Sequence, residues 1–140
     1  MKAPPDFLPP LEREEQAVCV KLLRACGFIV RSTSQYRASH IAEGVPDLML
    51  HHRGLRAAGW FEVKKYKARG YHPLARDNWR HEPLSEKQVI FREDALACGQ
   101  LYGCGGRAEC EEFVIGLWLA SRAGNGGITI DLRTLHRRTP

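Results

Sequence analysis

Two short apolar stretches decide the fold of this 140-residue chain: Gly44-Val45-Pro46-Asp47-Leu48-Met49-Leu50 and Gly59-Trp60-Phe61-Glu62-Val63-Lys64. Their apolar side chains predict one strand over residues 46–50 and another over residues 59–64. A turn around Arg53-Gly54 separates the two strands, and this short separation favours an antiparallel hairpin. Each predicted strand nevertheless contains one carboxylate, Asp47 in the first and Glu62 in the second.

These carboxylates need an explanation, because burying a carboxylate without a partner costs several kcal/mol. Taken alone, either one could point to the solvent face, as the alternation of side chains along a strand allows. However, Glu62 and Lys64 are two residues apart and therefore project from the same face. If the strand of Asp47 lies beside theirs, three charged groups converge. A surface ion pair between Glu62 and Lys64 is the alternative, and it leaves Asp47 unexplained.

The converging groups have the chemistry of a site for a hard divalent cation. The carboxylates of Asp47 and Glu62, together with the backbone carbonyl of Val63, would supply the oxygen ligands that Mg²⁺ prefers. The ammonium group of Lys64 would lie beside them, placed to hold or activate a water. Attack on a phosphodiester needs this combination of groups.

The remaining sequence surrounds the hairpin with helices and further strands. We expect an extended arm over 1–10, helices over 11–26, 85–98 and 107–121, strands over 28–30, 101–104 and 128–132, and loops over 32–44 and 65–83. The buried stripe of the last helix would consist of Phe113, Val114, Leu117 and Trp118. This order of elements predicts one α/β domain over residues 1–140, with a small mixed sheet flanked by helices.

Composition narrows the class of protein. Hydrophobic residues make up 44% of the chain and charged residues 26%, which is typical of a globular domain. No apolar run reaches the roughly 18 residues of a membrane span, and the N-terminus lacks an apolar signal core, so we expect neither a membrane protein nor export. Five scattered cysteines favour a reducing cytoplasm over a disulfide framework. Neither the ligand spacing of a zinc site nor a P-loop pattern is found.

The positive charge is concentrated in the middle of the chain. Residues 31–92 carry twelve Lys or Arg against six Asp or Glu, whereas residues 1–30 carry four of each and residues 93–140 carry five against six. A phosphate-binding surface concentrates charge in this way. An anionic membrane surface is the alternative partner, but no basic amphipathic helix supports it, so nucleic acid is favoured.

The same residues resemble a known nuclease signature. Gly44-Val45-Pro46-Asp47-Leu48 followed by Phe61-Glu62-Val63-Lys64 is similar to the PD-(D/E)xK pattern, and Leu84-Ser85-Glu86-Lys87-Gln88, running to Cys98-Gly99, resembles the next helix of the VRR-NUC family. The residues that fit the opening helix of that family are Glu12, Gln16, Leu23 and Gly27. The resemblance covers roughly residues 11–105. It implies a PD-(D/E)xK core like that of restriction endonucleases.

The resemblance implies a role for the residues of the hairpin. Asp47 and Glu62 would be ligands of Mg²⁺ or Mn²⁺, with the carbonyl of Val63 as a further ligand. Lys64 would assist the attacking water and the transition state.

Two helices would contribute further residues under the same resemblance. Gln88 would orient Lys64 or the substrate phosphate, and Glu12 would be an accessory acid that approaches the metal from the first helix. Glu15 is an open alternative for that acid. Simpler explanations exist, because a helix N-terminus favours acidic residues and Gln88 is placed to complete a capping box.

One feature departs from the family pattern. Lys64 and Gln88 are separated by twenty-three residues, where the family has a short loop. The segment 65–83, called the insert below, is basic and aromatic. Its candidate nucleic-acid contacts are Lys65, Lys67, Arg69, Arg76, Trp79 and Arg80. Basic side chains reach phosphates, and rings stack on unpaired bases. A solvated loop is the alternative.

These observations predict a metal-dependent endonuclease in which water attacks phosphorus in line and leaves a 5′ phosphate. Small stand-alone members of the family act on branched DNA such as Holliday junctions, so the resemblance implies that substrate. A restriction-like enzyme for linear duplex and a non-catalytic nucleic-acid-binding module are the alternatives. A junction enzyme must cut two strands, which favours a C₂ homodimer. The apolar surface for it would come from Leu119 with the stripe of the last helix, and from the strand over 128–132.

Overall fold

The computed structural model of the protein describes residues 8–33 and 43–122. Within these ranges the order is helix, three strands, helix, strand, helix, as the sequence predicts. The elements are α1 (Glu12–Ala25), β1 (Ile29–Ser32), β2 (Leu48–His52), β3 (Ala57–Val63), α2 (Glu86–Ala97), β4 (Leu101–Gly105) and α3 (Arg107–Arg122). The predicted α/β class with a small mixed sheet is confirmed.

Several predicted features fall outside the described residues. The predicted edge strand over 128–132 lies there, as do most of the arm over 1–10 and most of the loop over 32–44. Among the helices of the described ranges, none combines the length and the apolar content that a membrane crossing requires.

The four strands form one mixed sheet in the order β1-β2-β3-β4. β1 pairs with β2 and β2 with β3 in antiparallel fashion, whereas β4 is parallel to β3. The predicted hairpin is therefore confirmed, with Leu48 opposite Phe61 and His52 opposite Ala57. Parallel neighbours need a crossover connection, and the segment that contains α2 provides it.

Different helices cover the two faces of the sheet. Phe61 of β3 packs edge-on against Phe113 of α3, with ring centroids 5.8 Å apart, and the preceding Trp60 packs edge-on against Phe91 of α2 at 5.1 Å. α1 packs on the α3 side, where its buried residues join the same apolar core. Because alternate residues of a strand face opposite sides, Glu62 faces α2 together with Trp60.

A histidine joins the end of α1 to the turn of the hairpin. Gly27 follows α1 with a φ of +93°, and a Cβ there would lie 2.9 Å from Nε2 of His52, so glycine is required. The amide of Leu55 donates to Nδ1 of His52 at 3.0 Å, which leaves Nε2 to carry the proton and donate to the carbonyl of Cys26 at 2.9 Å. The first helix thus ends within one residue of its predicted bound at residue 26.

Two details correct the sequence-based prediction. β2 begins at Leu48 rather than at Pro46, so Asp47 immediately precedes the strand. Trp118, predicted to lie in the buried stripe of α3, is 54% exposed. The buried residues of α3 are Cys110, Phe113 and Leu117. The predicted Phe113 and Leu117 are thus confirmed, Val114 packs against the core while partly buried, and Cys110 extends the stripe one turn toward the start of α3.

The insert folds back on itself. Tyr66 near its start and His81 near its end form an antiparallel β-bridge, and backbone hydrogen bonds join the two arms on either side of the bridge. A 3₁₀ turn, Arg76–Asn78, lies between them. The ends of the insert are therefore held together, and the insert is a closed loop with internal structure.

Candidate active site

Asp47 and Glu62 face each other across the end of the hairpin. The register of β2 with β3, continued one residue before Leu48, places Asp47 opposite Glu62. Both are buried, with 4% and 3% of their surface exposed. Thr33 fixes the Asp47 end, since its amide donates to the carbonyl of Asp47 at 2.8 Å and its hydroxyl donates to the carbonyl of Pro46 at 2.6 Å.

The two carboxylates accept hydrogen bonds from the backbone of the opposite chain segment. The amide of Val63 donates to Oδ2 of Asp47 at 3.0 Å, and the amide of Asp47 donates to Oε2 of Glu62 at 3.2 Å. Such bonds from backbone amides fix the orientation of a carboxylate. The structure thus brings together Asp47, Glu62 and the backbone of Val63, the three parts of the predicted ligand set.

Lys64 and Gln88 complete this group. Nζ of Lys64 lies 4.0 Å from Oε1 of Glu62, and the Lys64 side chain is 14% exposed. The amide nitrogen of the Gln88 side chain donates to the same Oε1 at 2.9 Å. The resemblance implies that Gln88 orients Lys64 or a phosphate, whereas its partner within the structure is Glu62.

Gln88 also completes the capping box of α2. Its Oε1 accepts from the amide of Ser85 at 2.8 Å, and its own backbone amide donates to Oγ of Ser85 at 3.3 Å. Because the side-chain oxygen is held at the helix start, the side-chain NH₂ group is directed at Glu62. Gln88 therefore caps α2 with its side-chain oxygen and bonds to Glu62 with its side-chain NH₂ group at the same time.

The buried carboxylate pair is electrostatically unfavourable. Burial, followed by the charge of Asp47, raises the pKa of Glu62 to about 8, although the ammonium group of Lys64 acts in the opposite direction. Glu62 therefore holds a proton near neutral pH when no cation is bound. Two like charges in this position require a compensating positive charge, which either a proton or a divalent cation supplies.

The donor set fits Mg²⁺ or Mn²⁺. It offers carboxylate oxygens from Asp47 and Glu62 and a backbone carbonyl from Val63, all of them hard ligands. Within residues 8–33 and 43–122, no group of three or more His, Cys, Asp or Glu side chains is placed to hold a metal ion. Two carboxylates nevertheless suffice for Mg²⁺ when waters and substrate phosphates complete its coordination. The residues present therefore fit a cation that is shared with the substrate.

The acids of α1 lie elsewhere. Glu12 is exposed at the start of the helix. Glu15 is buried, but its carboxylate accepts from the amide of Arg107 at 2.6 Å, and burial raises its pKa. Among the contacts of the described residues, neither acid reaches Glu62. The reason is that α1 covers one face of the sheet, whereas Glu62 points to the other.

Glu15 instead helps to hold the insert against α3. It shares the N-terminus of that helix with Tyr66, whose hydroxyl accepts from the amide of Ala108 at 2.7 Å and donates to Oε2 of Glu109 at 2.8 Å. Burial, followed by the charge of Glu109, raises the pKa of Tyr66 far above its ordinary value, so the hydroxyl stays protonated. The first turn of α3 is thus capped by one residue of α1 and one of the insert.

Three residues beside the carboxylates were not predicted. Cys104 of β4 is in register with Glu62, and burial followed by the charge of Glu62 raises the pKa of its thiol to about 12. Tyr102 lies two residues earlier on the same face, and burial raises the pKa of its hydroxyl well above the ordinary value. The charge of Arg92 from α2 acts in the opposite direction on both groups. Only the parallel register of β4 on β3 brings these residues to the site, and the sequence does not specify that register.

The tryptophan of the insert, Trp79, is buried within the insert. Trp79 is 6% exposed, and its ring packs against Tyr66 and Tyr71 with centroid distances of 4.9 and 5.1 Å. The guanidinium groups of Arg76 and Arg107 lie 5.5 and 5.6 Å from the ring centroid. In this position Trp79 stabilises the insert and does not offer a free face to an unpaired base.

Two basic residues of the insert have carboxylate partners. Arg76 forms a bidentate ion pair with Glu111 of α3, with distances of 2.6 and 3.0 Å. Lys65 lies 3.5 Å from Glu82 at the base of the insert. Both pairs join separate parts of the chain, and the Arg76 pair fastens the insert to α3.

The other three basic residues differ from these. The guanidinium of Arg80 donates to the backbone carbonyls of Asp77 and Trp79 at 3.1 and 2.8 Å. Lys67 and Arg69 are exposed, and within the described ranges no carboxylate pairs with either of them. Lys67 and Arg69 are therefore the insert residues whose charge is most available to a phosphate.

Comparisons with known proteins identify no similar protein. No protein-family model, no curated protein and no solved structure matches this chain. The interpretation of the site therefore depends on its own residues and their geometry.

The raised pKa of Glu62 predicts how stability depends on pH. Its pKa is about 8 in the folded protein against an ordinary value of 4.5. Between these values the folded state keeps a proton that the unfolded state has released. The free energy of unfolding should therefore fall as pH rises through this window in metal-free buffer, and the penalty is complete above the folded pKa. Glu62→Gln lacks this titration, so its stability should change less.

Urea denaturation in EDTA at a series of pH values measures this difference. Asp94→Asn, which changes an exposed acid on α2, is the matched control and should follow the wild-type curve. Wild type and Glu62→Gln with parallel curves from pH 5 to pH 9 (about the range that spans both pKa values) would contradict the raised pKa.

Proposed function

We propose that this protein is a Mg²⁺- or Mn²⁺-dependent nuclease that hydrolyses phosphodiester bonds of DNA. The observation that carries the proposal is the convergence of Asp47, Glu62 and Lys64 at the end of the hairpin, with Gln88 bound to Glu62. Adjacent buried carboxylates oppose folding, so their presence is best explained by a cation that they bind. The resemblance to the PD-(D/E)xK signature and the VRR-NUC family favours the same reaction.

Asp47, Glu62 and Lys64 would each have a different role in hydrolysis. A bound cation would supply a Lewis acid for the phosphate oxygens. Asp47 and Glu62, already oriented by backbone amides, would provide ligands that need no rearrangement. Lys64 would hold the water that attacks phosphorus and would stabilise the negative charge of the transition state. As the bond from phosphorus to the 3′ oxygen breaks, that oxygen gains a proton, leaving a 3′ hydroxyl and a 5′ phosphate.

The insert supports DNA as the substrate. It begins directly after Lys64, and a chain spans at most about 3.6 Å per residue, so Lys67 lies within about 11 Å and Arg69 within about 18 Å of Lys64 along the backbone. Their charges would therefore contact phosphates close to the bond that is cut. Branched DNA such as a Holliday junction is the proposed form, because the resemblance implies it and because the insert adds basic surface beyond the carboxylate pair.

Removing a carboxylate should abolish cleavage and spare DNA binding. We expect Asp47→Asn and Glu62→Gln each to lower the rate in Mg²⁺ by at least about a hundredfold, because each removes a charged ligand. Affinity for DNA should stay the same or rise, since the variant places less negative charge opposite the phosphates. Cleavage and gel-shift assays on linear, flap, fork and four-way DNA measure both quantities.

Matched variants sharpen this test. Asp94→Asn should cut like wild type. Gln88→Glu keeps an oxygen for the cap but removes the donor to Glu62, so a slower cut at unchanged melting temperature would assign a positioning role to Gln88. A near wild-type rate for either carboxylate variant would show that the site is wrong. Equal cutting of linear and branched DNA would favour a restriction-like enzyme, and binding without cleavage would favour a non-catalytic module.

The two available charges of the insert should control the salt dependence of DNA binding. Lys67→Gln combined with Arg69→Gln should reduce the log–log salt slope by about 0.9 for each phosphate that the variant no longer binds. The control is Arg13→Gln combined with Lys21→Gln, which removes the same charges from the exposed surface of α1. Affinity measured between low and moderate salt distinguishes them. Equal salt slopes for both double variants would show that the insert is solvated surface that does not bind phosphates.

A homodimer is part of the proposal, because a junction has two strands to cut and the chain has one carboxylate pair. Within the described residues, α3 exposes Ile115, Trp118 and Leu119 by 54–56%, beside a pocket of about 520 Å³ that reaches the end of α1. Apolar exposure of this kind is typical of an interface.

Light scattering at micromolar concentration without DNA should give twice the mass of one chain. Trp118→Arg should give a monomer, because it places a charge in the apolar contact. The exposed Ile90 of α2 offers a control, since Ile90→Arg should leave the dimer intact. A wild-type monomer that binds a junction as a single copy would contradict the dimer.

A further inference from the structure

Leu74 is the most exposed large apolar side chain in the described part of the chain. It is 90% exposed, whereas the other exposed apolar residues there lie between 39% and 56%. It follows Pro73 on the outer turn of the insert, and both neighbours of the pair, His72 and Ala75, belong to the same turn. A side chain this exposed buries almost no apolar surface in the folded protein, so it is fully available to a partner.

The turn that carries Leu74 is held by several hydrogen bonds. The carbonyl of His72 accepts from the amide of Ala75 at 3.0 Å and also from the indole nitrogen of Trp79. The amide of Leu74 itself donates to Nδ1 of His72 at 3.2 Å. The ring of Pro73 restricts φ at the position before Leu74. The backbone on both sides of Leu74 is therefore fixed, and the side chain is presented outward at little further entropic cost.

The turn that carries Leu74 packs on a buried aromatic cluster. Trp79, which binds the turn through its indole nitrogen, is packed against Tyr66 and Tyr71, and Tyr66 is in turn bonded to the start of α3. The ion pair of Arg76 with Glu111 fastens the other side. Packing and hydrogen bonds therefore connect the turn that carries Leu74 to the body of the domain, and the position of Leu74 is fixed relative to it.

The charge around the turn indicates what kind of partner it meets. Residues 65–83 carry five Lys or Arg against two Asp or Glu, a net charge of +3. Lys67 and Arg69 have no carboxylate partner among the described residues and lie on the same insert. An apolar tip on a segment of net positive charge, two of whose cations are exposed, is complementary to stacked bases between phosphate backbones, and less so to an apolar protein surface.

We propose that Leu74 is a wedge that inserts between bases at the branch point of DNA. The proposal rests on the proposed nuclease function and names the residue that selects branched DNA. Apolar side chains, leucine among them, enter base steps in this way, and the cost is the stacking energy of the step that opens. That cost is lower where stacking is already weakened, and a branch point interrupts the continuous stack of a duplex. Trp79, which the sequence suggested for contact with bases, instead packs with Tyr66 and Tyr71 and binds the turn through its indole nitrogen.

The test compares DNA binding of Leu74→Ala and Leu74→Met, both made in the Asp47→Asn background so that the DNA stays intact in Mg²⁺. The probes are a four-way DNA with a fluorescent base analogue at the branch point and a linear duplex of the same arms. Leu74→Ala should bind the four-way DNA about tenfold more weakly and the linear duplex unchanged. The fluorescence rise that reports unstacking should disappear with it. Leu74→Met should behave like leucine.

Leu8→Ala is the control, because it removes the same side chain from an exposed position before α1 that lies outside the proposed dimer surface. Unchanged affinity of Leu74→Ala for four-way DNA, or an equal loss of affinity for both DNAs, would overturn the wedge. The parent protein, with Asp47 intact, is assayed for cleavage of both DNAs in parallel. Failure to cut any DNA would count against the proposed function itself, whereas cutting with no effect of Leu74 would count against the wedge alone.

Discussion

Two backbone amides, those of Asp47 and Val63, donate to carboxylates across the end of the β2–β3 pair. These bonds let two acids occupy a position where the sheet is otherwise apolar and neither acid is exposed to water. They do not neutralise the charge, and burial, followed by the charge of Asp47, raises the pKa of Glu62 to about 8. Much of the surrounding structure holds this arrangement in place: Thr33 fixes one side and Gln88, at the start of α2, fixes the other.

The insert is joined to this centre through Tyr66, two residues after Lys64. Its hydroxyl caps α3 together with the carboxylate of Glu15, so the insert, α1 and α3 meet at one point. The position of the insert relative to the carboxylates is therefore set by the body of the domain. Trp79 and Tyr66 lie inside it and the charges of Lys67 and Arg69 outside, which makes it a preformed surface rather than a chain that orders on binding.

Much of this was accessible from the sequence, because hydrophobic periodicity and turn residues act locally. The alternating side chains of 59–63 predicted β3, and the spacing of Glu62 and Lys64 predicted their common face. What depends on tertiary contacts was not accessible. Cys104 reaches the site through the register of β4, and Trp79 is buried by the rings and guanidinium groups that pack on it. Glu15 bonds to the start of α3, on the face of the sheet opposite Glu62.

The most direct test of the central claim is an anomalous difference map from crystals grown with Mn²⁺. The account predicts a peak between the carboxylates of Asp47 and Glu62, within about 2.5 Å of an oxygen of each, and its disappearance in Asp47→Asn. A map with no peak there at millimolar Mn²⁺, or a peak bound by other residues, would contradict the claim that this carboxylate pair exists to hold a cation.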